Sequence, residues 1–251
     1  MTLATILTPL PVLIPTIAAA TTLVAGRSPR LQQLISLTAL TTVVAVCAAL
    51  LYLVDRDGTV AVQVGGWGQS EPGMGPLGIT LVADRLSVLM LVVSSIVLLA
   101  VVFYAIGQGI SDGDERQPVS IFQPTYLILS AGVCTAFLAG DLFNLFVGFE
   151  VLLAASFVLL TIGGSAERVR AGISYVMVSM VSSLIFLIGI AMVYAALIPK
   201  ATSSTANSAV LLVAFGIKAA VFPLSAWLPD SYPTAPAPVT AVFAGLLTKV
   251  G

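Results

Sequence analysis

The stretch from Ala209 to Gly251 decides the fold, because it places charged residues inside apolar segments. It reads AVLLVAFGIKAAVFPLSAW, then LPDSYPTAPAP, then VTAVFAGLLTKVG. Lys218 is the tenth of the nineteen residues in the first segment, and Lys249 is the eleventh residue of the last segment. A lysine at the centre of a membrane span costs roughly 2.5–3.5 kcal/mol on insertion scales. Two lysines kept at that cost predict an ion or proton pathway, whose other members lie elsewhere in the chain.

The composition of the whole chain is that of an integral membrane protein. Of its 251 residues, 59% are hydrophobic and 8% are charged, whereas soluble domains carry about 25% charged residues. The net charge of −1 provides no basic face for nucleic acid. The chain has no histidine, which excludes histidine-based metal sites and proton shuttles, and we expect neither a metal nor a cofactor. Cys47 and Cys134 lie in apolar runs, where we interpret them as small buried hydrophobic residues.

Eight apolar runs are long enough, or nearly long enough, to cross a bilayer, since a span needs about 20 mostly apolar residues. They are Ile6–Ala25, Leu34–Val54, Leu86–Ile106, Phe122–Ala139, Leu142–Ile162, Ile173–Ile198, Ala209–Trp227 and Val239 to the end. The last run has thirteen residues and then stops. A helix end facing lipid would leave carbonyls without partners. We therefore expect this chain to be the N-terminal portion of a longer protein, or to be completed by another chain.

The distribution of positive residues predicts how the chain is oriented in a cell membrane. The first run has no Lys or Arg before it, so it does not resemble a cleaved signal peptide. An N-terminus outside the cell puts five arginines in the inner loops: Arg27, Arg30, Arg116, Arg168 and Arg170. The outer loops then hold two positive residues, Arg56 and Lys200. This asymmetry favours a multi-pass protein with its N-terminus outside.

The outer loop Asp55–Gly78 contains a short alternating stretch, TVAVQV, followed by a segment rich in glycine and proline. This pattern fits either a small β-hairpin or an irregular lid. Asp84 and Asp141 stand at the edges of apolar runs. Both are secondary candidates for the pathway, and the alternative is that they anchor helix ends at the membrane interface.

Glu150 is a further ionisable residue inside an apolar run. It is the ninth of the twenty-one residues of Leu142–Ile162, so it lies near the same depth as Lys218. Opposite charges allow the two residues to pair, which offsets part of the cost of burial. A structural ion pair that holds helices in register is the alternative, and Lys249 weakens it because one lysine is left without an acidic partner. Burial disfavours the charged forms of acids and amines alike, so the three groups suit proton transfer.

Pro223 predicts a break in the helix that carries Lys218. A proline cannot donate a hydrogen bond to the carbonyl four residues earlier, here that of Ala219. Broken membrane helices are tolerated beside protein or water-filled cavities, and transporters place them at ion sites; a simple packing kink is the alternative. Asp230 lies in a proline-rich turn between the two lysine segments and is another secondary candidate. Three serines could line a path of water molecules for protons: Ser179, Ser182 and Ser183. Serines in such helices more often bond their own backbone.

Several stretches resemble the proton-translocating antiporter-like subunits. The main ones are GDLFNLFVGFEVLLAASFVLL (Gly140–Leu160), FGIKAAVFPLSAWLPDSYPTAPAPV (Phe215–Val239) and AGLLTKVG (Ala244–Gly251). GITLVADRLSVLML (Gly78–Leu91) and GGSAERVRAGISYV (Gly163–Val176) match the same pattern. The family includes membrane subunits of respiratory complex I and of Mrp-type multisubunit sodium/proton antiporters. The motifs are most similar to those of the D subunits of the Mrp-type antiporters.

The resemblance implies an all-α polytopic fold of about fourteen helices, with two inverted repeats of five helices and a broken seventh helix. Residues 1–120 would form three helices and the outer loop, and residues 121–251 the first repeat, truncated in the eighth helix. The resemblance also implies that Glu150 and Lys218 form the input pair for protons and that Lys249 passes the proton onward.

The function implied by the resemblance is that of a membrane subunit in a multisubunit antiporter, not of an enzyme. Such a subunit couples inward proton flow to sodium export and contacts other membrane subunits and the lipid bilayer. Many family members have histidine at the position of Ser225, which makes this serine another secondary candidate. Two alternatives stay open: a proton-pumping subunit of a redox-driven complex, and a structural membrane subunit whose buried charges only fix helix packing.

Overall fold

Helices make up most of this chain, whose computed structural model describes residues 2–26, 28–64, 79–108, 121–196, 204–225, 227–228 and 235–250. The elements are, in chain order, α1 (Leu3–Leu7), α2 (Leu10–Val24), α3 (Pro29–Asp57), β1 (Val60–Val64), β2 (Ile79–Ala83), α4 (Arg85–Gly107), α5 (Phe122–Leu138), α6 (Leu142–Thr161), α7 (Ala166–Ala196), α8 (Ser204–Lys218), α9 (Ala237–Val242), a π-helical turn (Phe243–Leu247) and α10 (Thr248–Val250). Each of the eight predicted apolar runs contains a helix, although the run Ala209–Trp227 is helical only as far as Lys218, and the predicted all-α polytopic class is confirmed.

Among the described residues, five helical segments are long and apolar enough to cross a membrane: Leu3–Val24, Pro29–Asp57, Arg85–Gly107, Leu142–Thr161 and Ala166–Ala195. In the described part of the chain, three shorter apolar helices complete the predicted set: Phe122–Leu138, Ser208–Lys218 and Ala237–Leu247. In the apolar stretch of each long span, only 28–44% is buried inside the chain. The exposed apolar remainder therefore has to be covered by lipid or by another protein surface.

Helix α5 lies at the centre of the helix bundle, where it contacts α2, α3, α4 and α6. Thirteen of its seventeen residues are buried, as expected for a helix that is apolar on all sides. The Tyr126 hydroxyl donates to the Leu98 carbonyl at 2.7 Å and so connects α5 to α4. Cys134 of α5 and Cys47 of α3 are both buried free thiols, which agrees with their predicted role as small hydrophobic residues.

Helices α5 and α6 approach each other closely at two glycines. A Cβ atom added to Gly132 would lie 3.0 Å from the backbone nitrogen of Leu152, and one added to Gly148 would lie 3.0 Å from that of Ala136. Small residues permit this close approach between membrane helices. Because Gly148 precedes Glu150 by two positions, the contact also fixes where α6 holds its carboxylate relative to α5.

The loop that the sequence predicts to lie outside contributes one strand of an antiparallel pair, in agreement with the β-hairpin that was one of the two structures the sequence allowed. Strand β1 pairs antiparallel with β2, which follows the predicted loop rather than lying inside it; residues 65–78 are outside the described part. The carbonyl of Thr80 in β2 accepts the Gly140 N–H at 2.8 Å and the Asn144 side-chain amide at 3.2 Å. These bonds attach the hairpin to the start of α6, the helix that carries Glu150.

We expect Gly148→Val to destabilise the folded chain by about 1–3 kcal/mol, because the added side chain would overlap the backbone of α5. Thermal unfolding of the detergent-purified protein measures the effect. The matched control is Gly107→Val at the end of α4, where an added Cβ meets nothing within 4 Å, and it should unfold close to the wild type. Equal unfolding temperatures for the two variants would contradict the close α5–α6 packing.

Candidate functional site

A serine hydroxyl joins the two charged residues that the sequence analysis paired. Ser183 Oγ donates a hydrogen bond to Glu150 Oε1, and Lys218 Nζ donates to Ser183 Oγ at 3.2 Å. The three residues come from α6, α7 and α8. Ser183 is only 4% exposed, whereas Glu150 and Lys218 are half-buried. Glu150 and Lys218 therefore lie at one place in the bundle, with the serine between them.

Glu150 and Lys218 do not contact each other directly. Among the residues that the structure describes, the ion pairs with N···O distances within 4.0 Å lie at exposed positions and are Arg56–Asp57 and Arg85–Asp55. The pairing that opposite charges suggested is thus mediated by the Ser183 hydroxyl. A mediated pair leaves each charge less tightly held than a direct salt bridge would, since the Coulomb energy falls with distance.

Three phenylalanines, one from each of the same helices, pack beside these polar residues. The ring centres of Phe149, Phe186 and Phe215 lie 4.9–6.2 Å apart, which is the range of favourable aromatic pairs. Each phenylalanine lies within three positions of the polar residue on its own helix, so the aromatic cluster fixes the register of α6, α7 and α8. Lys218 Nζ also lies 4.8 Å from the centre of the Phe149 ring, a cation–π contact.

Helix α8 ends at Lys218 through a specific backbone motif. Ala220 has a φ of +53°, and its N–H bonds to the Ile217 carbonyl at 3.1 Å. The next N–H, that of Val221, bonds to the Gly216 carbonyl at 2.9 Å. These two bonds form a Schellman motif, which satisfies the last carbonyls of a helix. Glycine is the usual residue at the position that Ala220 occupies, because it adopts positive φ without a steric penalty.

The break that the sequence associated with Pro223 therefore begins one turn earlier. Lys218 is the last residue of α8, and not the midpoint of a continuous helix over Ala209–Trp227. Pro223 follows in the turn and is joined to Phe222 by a cis peptide bond. The negative end of the helix dipole favours a cation in the last turn, which gives a physical reason why an ammonium group is tolerated here.

A cavity of about 30 Å³ lies next to Lys218, with room for about two water molecules. The residues that line it include Tyr175, Ser179 and Ser182. Leu247, the last residue of the π-helical turn, also lines it. The cavity therefore extends from the broken end of α8 to the segment that carries the second lysine.

Lys249 lies in α10, directly after the π-helical turn Phe243–Leu247. Turns of this kind are rare and occur frequently at functional sites. The side chain of Lys249 lies outside the described residues. The structure thus positions the backbone of Lys249 two residues beyond the cavity wall at Leu247, and its side-chain role stays a prediction.

Asp84 and Asp141 cap helices. Asp84 Oδ1 accepts the Ser87 N–H at 2.7 Å while Ser87 Oγ accepts the Asp84 N–H at 3.0 Å, a capping box at the start of α4. Asp141 Oδ1 accepts the Asn144 N–H at 2.7 Å at the start of α6. The hydroxyl and the backbone N–H of Ser87 lower the pKa of Asp84 below its ordinary value, because they stabilise the charged carboxylate. These contacts favour the anchor interpretation over a role in the pathway.

Two further secondary candidates lie after α8. Ser225 is half-buried in the turn region, and its carbonyl accepts the Leu228 N–H at 3.1 Å. Asp230 lies outside the described residues. Three residues of the orientation argument lie outside them as well: Arg27, Arg116 and Lys200.

The sequence analysis did not distinguish Ser183 from the two other serines of α7. Ser182 donates to the Ala214 carbonyl of α8 at 3.0 Å, and Ser179 lines the cavity. The three serines are spaced at i, i+3 and i+4, which places them on one face of a helix. That spacing was a signal for a polar face inside an apolar helix, although it could not say which hydroxyl meets a charge.

Several known proteins with similar sequences are named as antiporter subunits. Residues 139–251 match a family model described as NADH:quinone oxidoreductase/Mrp antiporter, TM. The D subunit of the Na⁺/H⁺ antiporter from Alkalihalophilus pseudofirmus is 37% identical over 96% of this chain and 50% of its own length. The D subunit of the probable K⁺/H⁺ antiporter from Rhizobium meliloti is 39% identical over 96% of this chain and 47% of its own length. A chain in a solved Mrp complex from a Dietzia species has a TM-score of 0.85 at 34% identity, covering 100% of this chain and 47% of that chain.

The chain is a homologue of the antiporter-like membrane subunits. The resemblance seen in the sequence motifs is thereby confirmed. The chain spans about half the length of the curated relatives that it matches. The segment matched by the family model contains Glu150, Ser183, Lys218 and Lys249.

We expect Ala220→Gly to stabilise the chain by about 1 kcal/mol, because glycine removes the strain of a side chain at positive φ in the Schellman motif. The change in unfolding temperature of the purified protein measures it. Ala219→Gly is the matched control, since the positive φ values of non-glycine residues in the described part are confined to Ala220, and it should not stabilise. A lower unfolding temperature for Ala220→Gly than for the wild type would contradict this end to α8.

Proposed function

We propose that this chain is a proton-translocating membrane subunit of a multisubunit monovalent cation/proton antiporter, and that protons move through Glu150, Lys218 and Lys249. The observation that carries the proposal is the hydrogen-bonded set formed by Glu150, Ser183 and Lys218 where three apolar helices meet. Ionisable groups inside membrane spans are costly and mark ion or proton pathways.

The arrangement of Glu150 and Lys218 suits proton transfer better than it suits a purely structural ion pair. A buried ion pair that only holds helices together gains most from direct contact with full hydrogen bonding. Here the carboxylate and the ammonium group are separated by a hydroxyl that can both donate and accept. Each charged group can therefore gain or lose a proton without first breaking a direct salt bridge.

The onward step from Lys218 to Lys249 is supported by the cavity and by two irregular pieces of backbone. Lys218 ends a broken helix on one side of the cavity, and Leu247 ends the π-helical turn on the other. Irregular backbone at membrane depth is tolerated where it lines protein or water. The cavity has room for about two waters, and in this proposal such waters carry the proton from Lys218 toward Lys249.

Sodium is the exchanged cation in this proposal, with proton flow inward. The relative from Alkalihalophilus pseudofirmus is named for Na⁺ and the one from Rhizobium meliloti for K⁺, so a monovalent cation is their common element. The partners are other membrane subunits and the lipid bilayer, because the long spans leave most of their apolar surface uncovered by this chain. The N-terminus faces outward, as the arginine distribution predicts.

A proton-pumping subunit of a redox-driven complex is the second candidate, because the description of the matching family model names an NADH:quinone oxidoreductase beside the Mrp antiporter. The proton relay would be the same in both cases, while the driving reaction would differ. Purification of the complex distinguishes them, since a redox-driven complex would retain flavin and iron–sulfur subunits.

We expect Glu150→Gln and Lys218→Ala each to lower Na⁺-dependent proton transport at least about a hundredfold, the scale on which a proton-transfer group contributes. The measurement is Na⁺-induced collapse of a pH gradient in everted vesicles of host cells that carry the substitution in the full-length gene. Glu167→Gln is the matched control, because Glu167 is an exposed carboxylate at the start of α7, and it should transport normally. Normal transport by Glu150→Gln or Lys218→Ala, at wild-type protein levels, would refute the proposal.

We expect Lys249→Met to abolish transport while the subunit still accumulates in the membrane. The sequence predicts Lys249 inside a membrane span, where a charge is costly and an apolar side chain of similar length is not, so we do not expect the change to hinder insertion. Transport in the same vesicles and the amount of subunit by immunoblot are measured together. Unaltered transport would instead favour the interpretation that the buried charges only fix helix packing.

A further inference from the structure

The hydrogen-bonded connection between Glu150 and Lys218 passes through one atom, the hydroxyl oxygen of Ser183. Lys218 Nζ donates to it at 3.2 Å, and the hydroxyl donates in turn to Glu150 Oε1. A charged amine can only donate hydrogen bonds and a carboxylate can only accept them, whereas a hydroxyl does both. Ser183 is therefore chemically matched to both of its neighbours at once.

The neighbouring groups do not offer the same connection. Ser182 directs its hydroxyl to the Ala214 carbonyl of α8 at 3.0 Å. The ring of Phe149 lies against Lys218 Nζ, but an aromatic ring has no hydrogen that it can exchange. Ser183 is 4% exposed, so it meets both charges in a place largely closed to bulk water.

We propose that Ser183 carries the proton between Lys218 and Glu150, rather than only holding their side chains in place. This inference rests on the proposed function, because it adds a relay residue inside the Glu150–Lys218 pair. It makes the hydroxyl of α7 a third working member of the site, beside the carboxylate of α6 and the amine of α8.

The transfer balances without any other reactant. One N–H bond of the Lys218 ammonium breaks as its proton binds Ser183 Oγ, while the O–H bond of Ser183 breaks as its proton binds Glu150 Oε1. The products are a neutral amine, an intact hydroxyl and a neutral carboxyl group, and no electrons are transferred. The two hydrogen bonds then point the other way, from Glu150 to Ser183 and from Ser183 to Lys218, so the return transfer uses the same path.

This step also removes the electrostatic attraction between Lys218 and Glu150. Before it, a positive and a negative group attract each other in surroundings of low dielectric constant. After it, both are neutral, and the amine of Lys218 is free to turn toward the cavity that it lines with Tyr175 and Ser179. In the return transfer the Glu150 carboxyl group passes its proton through Ser183 to the Lys218 amine, and this recharges the lysine from which the proposed relay continues to Lys249.

The test compares Ser183→Thr with Ser183→Val in the full-length protein. The two new side chains have nearly the same shape, but only threonine keeps the hydroxyl, and valine fills the space that a water would need to replace it. We expect Ser183→Thr to transport at least about tenfold faster than Ser183→Val in Na⁺-driven vesicle assays, because the second variant lacks the transferring group. Equal rates for the two variants, at whatever level, would overturn the proposal.

Two further variants distinguish a failure of the Ser183 relay from a failure of the proposed function. Ser95→Val is the control for placing valine at a buried serine, since Ser95 lies in α4 and bonds the Val92 carbonyl of its own helix; it should transport like the wild type. Glu150→Gln is assayed in parallel. If Glu150→Gln is inactive while Ser183→Thr and Ser183→Val transport equally, the relay role of Ser183 is wrong and the proposed function stands. If Glu150→Gln transports normally, the proposed function itself is wrong.

Discussion

A charged side chain inside a bilayer must find its polar partners within the protein, and this requirement organises the C-terminal half of the chain. The ammonium group of Lys218 and the carboxylate of Glu150 meet on either side of the Ser183 hydroxyl. That meeting fixes how α6, α7 and α8 lie against one another. The cluster of Phe149, Phe186 and Phe215 supports the same register from one side, so the apolar packing and the polar contacts specify a single arrangement of the three helices.

The irregular backbone follows from the same requirement. Helix α8 stops at its lysine through a Schellman motif, and the segment before Lys249 contains a π-helical turn. Both irregularities border the small cavity, where freed backbone groups can meet water or side chains instead of lipid. A regular helix at either place would bury its backbone groups within itself and would leave less polar surface beside the charges.

The N-terminal half contributes the scaffold on which this site rests. Helix α5 is buried on nearly all sides and holds α6 at the distance that Gly132 and Gly148 permit. The β-hairpin fastens the start of α6 through the Thr80 carbonyl. Glu150 is thus placed from both directions, by glycine contacts along α6 and by hydrogen bonds at its N-terminal end, and this precision matters for a group that must reach one hydroxyl.

The sequence by itself determined the membrane class, the apolar runs and which ionisable residues lie inside those runs, because hydropathy and charge are readable one residue at a time. It also located the break in α8 to within a turn, from Pro223. Tertiary structure decided that α8 ends at Lys218. The helix ends because Ala220 has a positive φ, and alanine, unlike glycine, is not a sequence signal for that conformation. Tertiary structure likewise decided that Ser183, and neither Ser179 nor Ser182, stands between Glu150 and Lys218. Serines in apolar helices commonly bond their own backbone, so only the packing of three helices reveals which hydroxyl meets a charge.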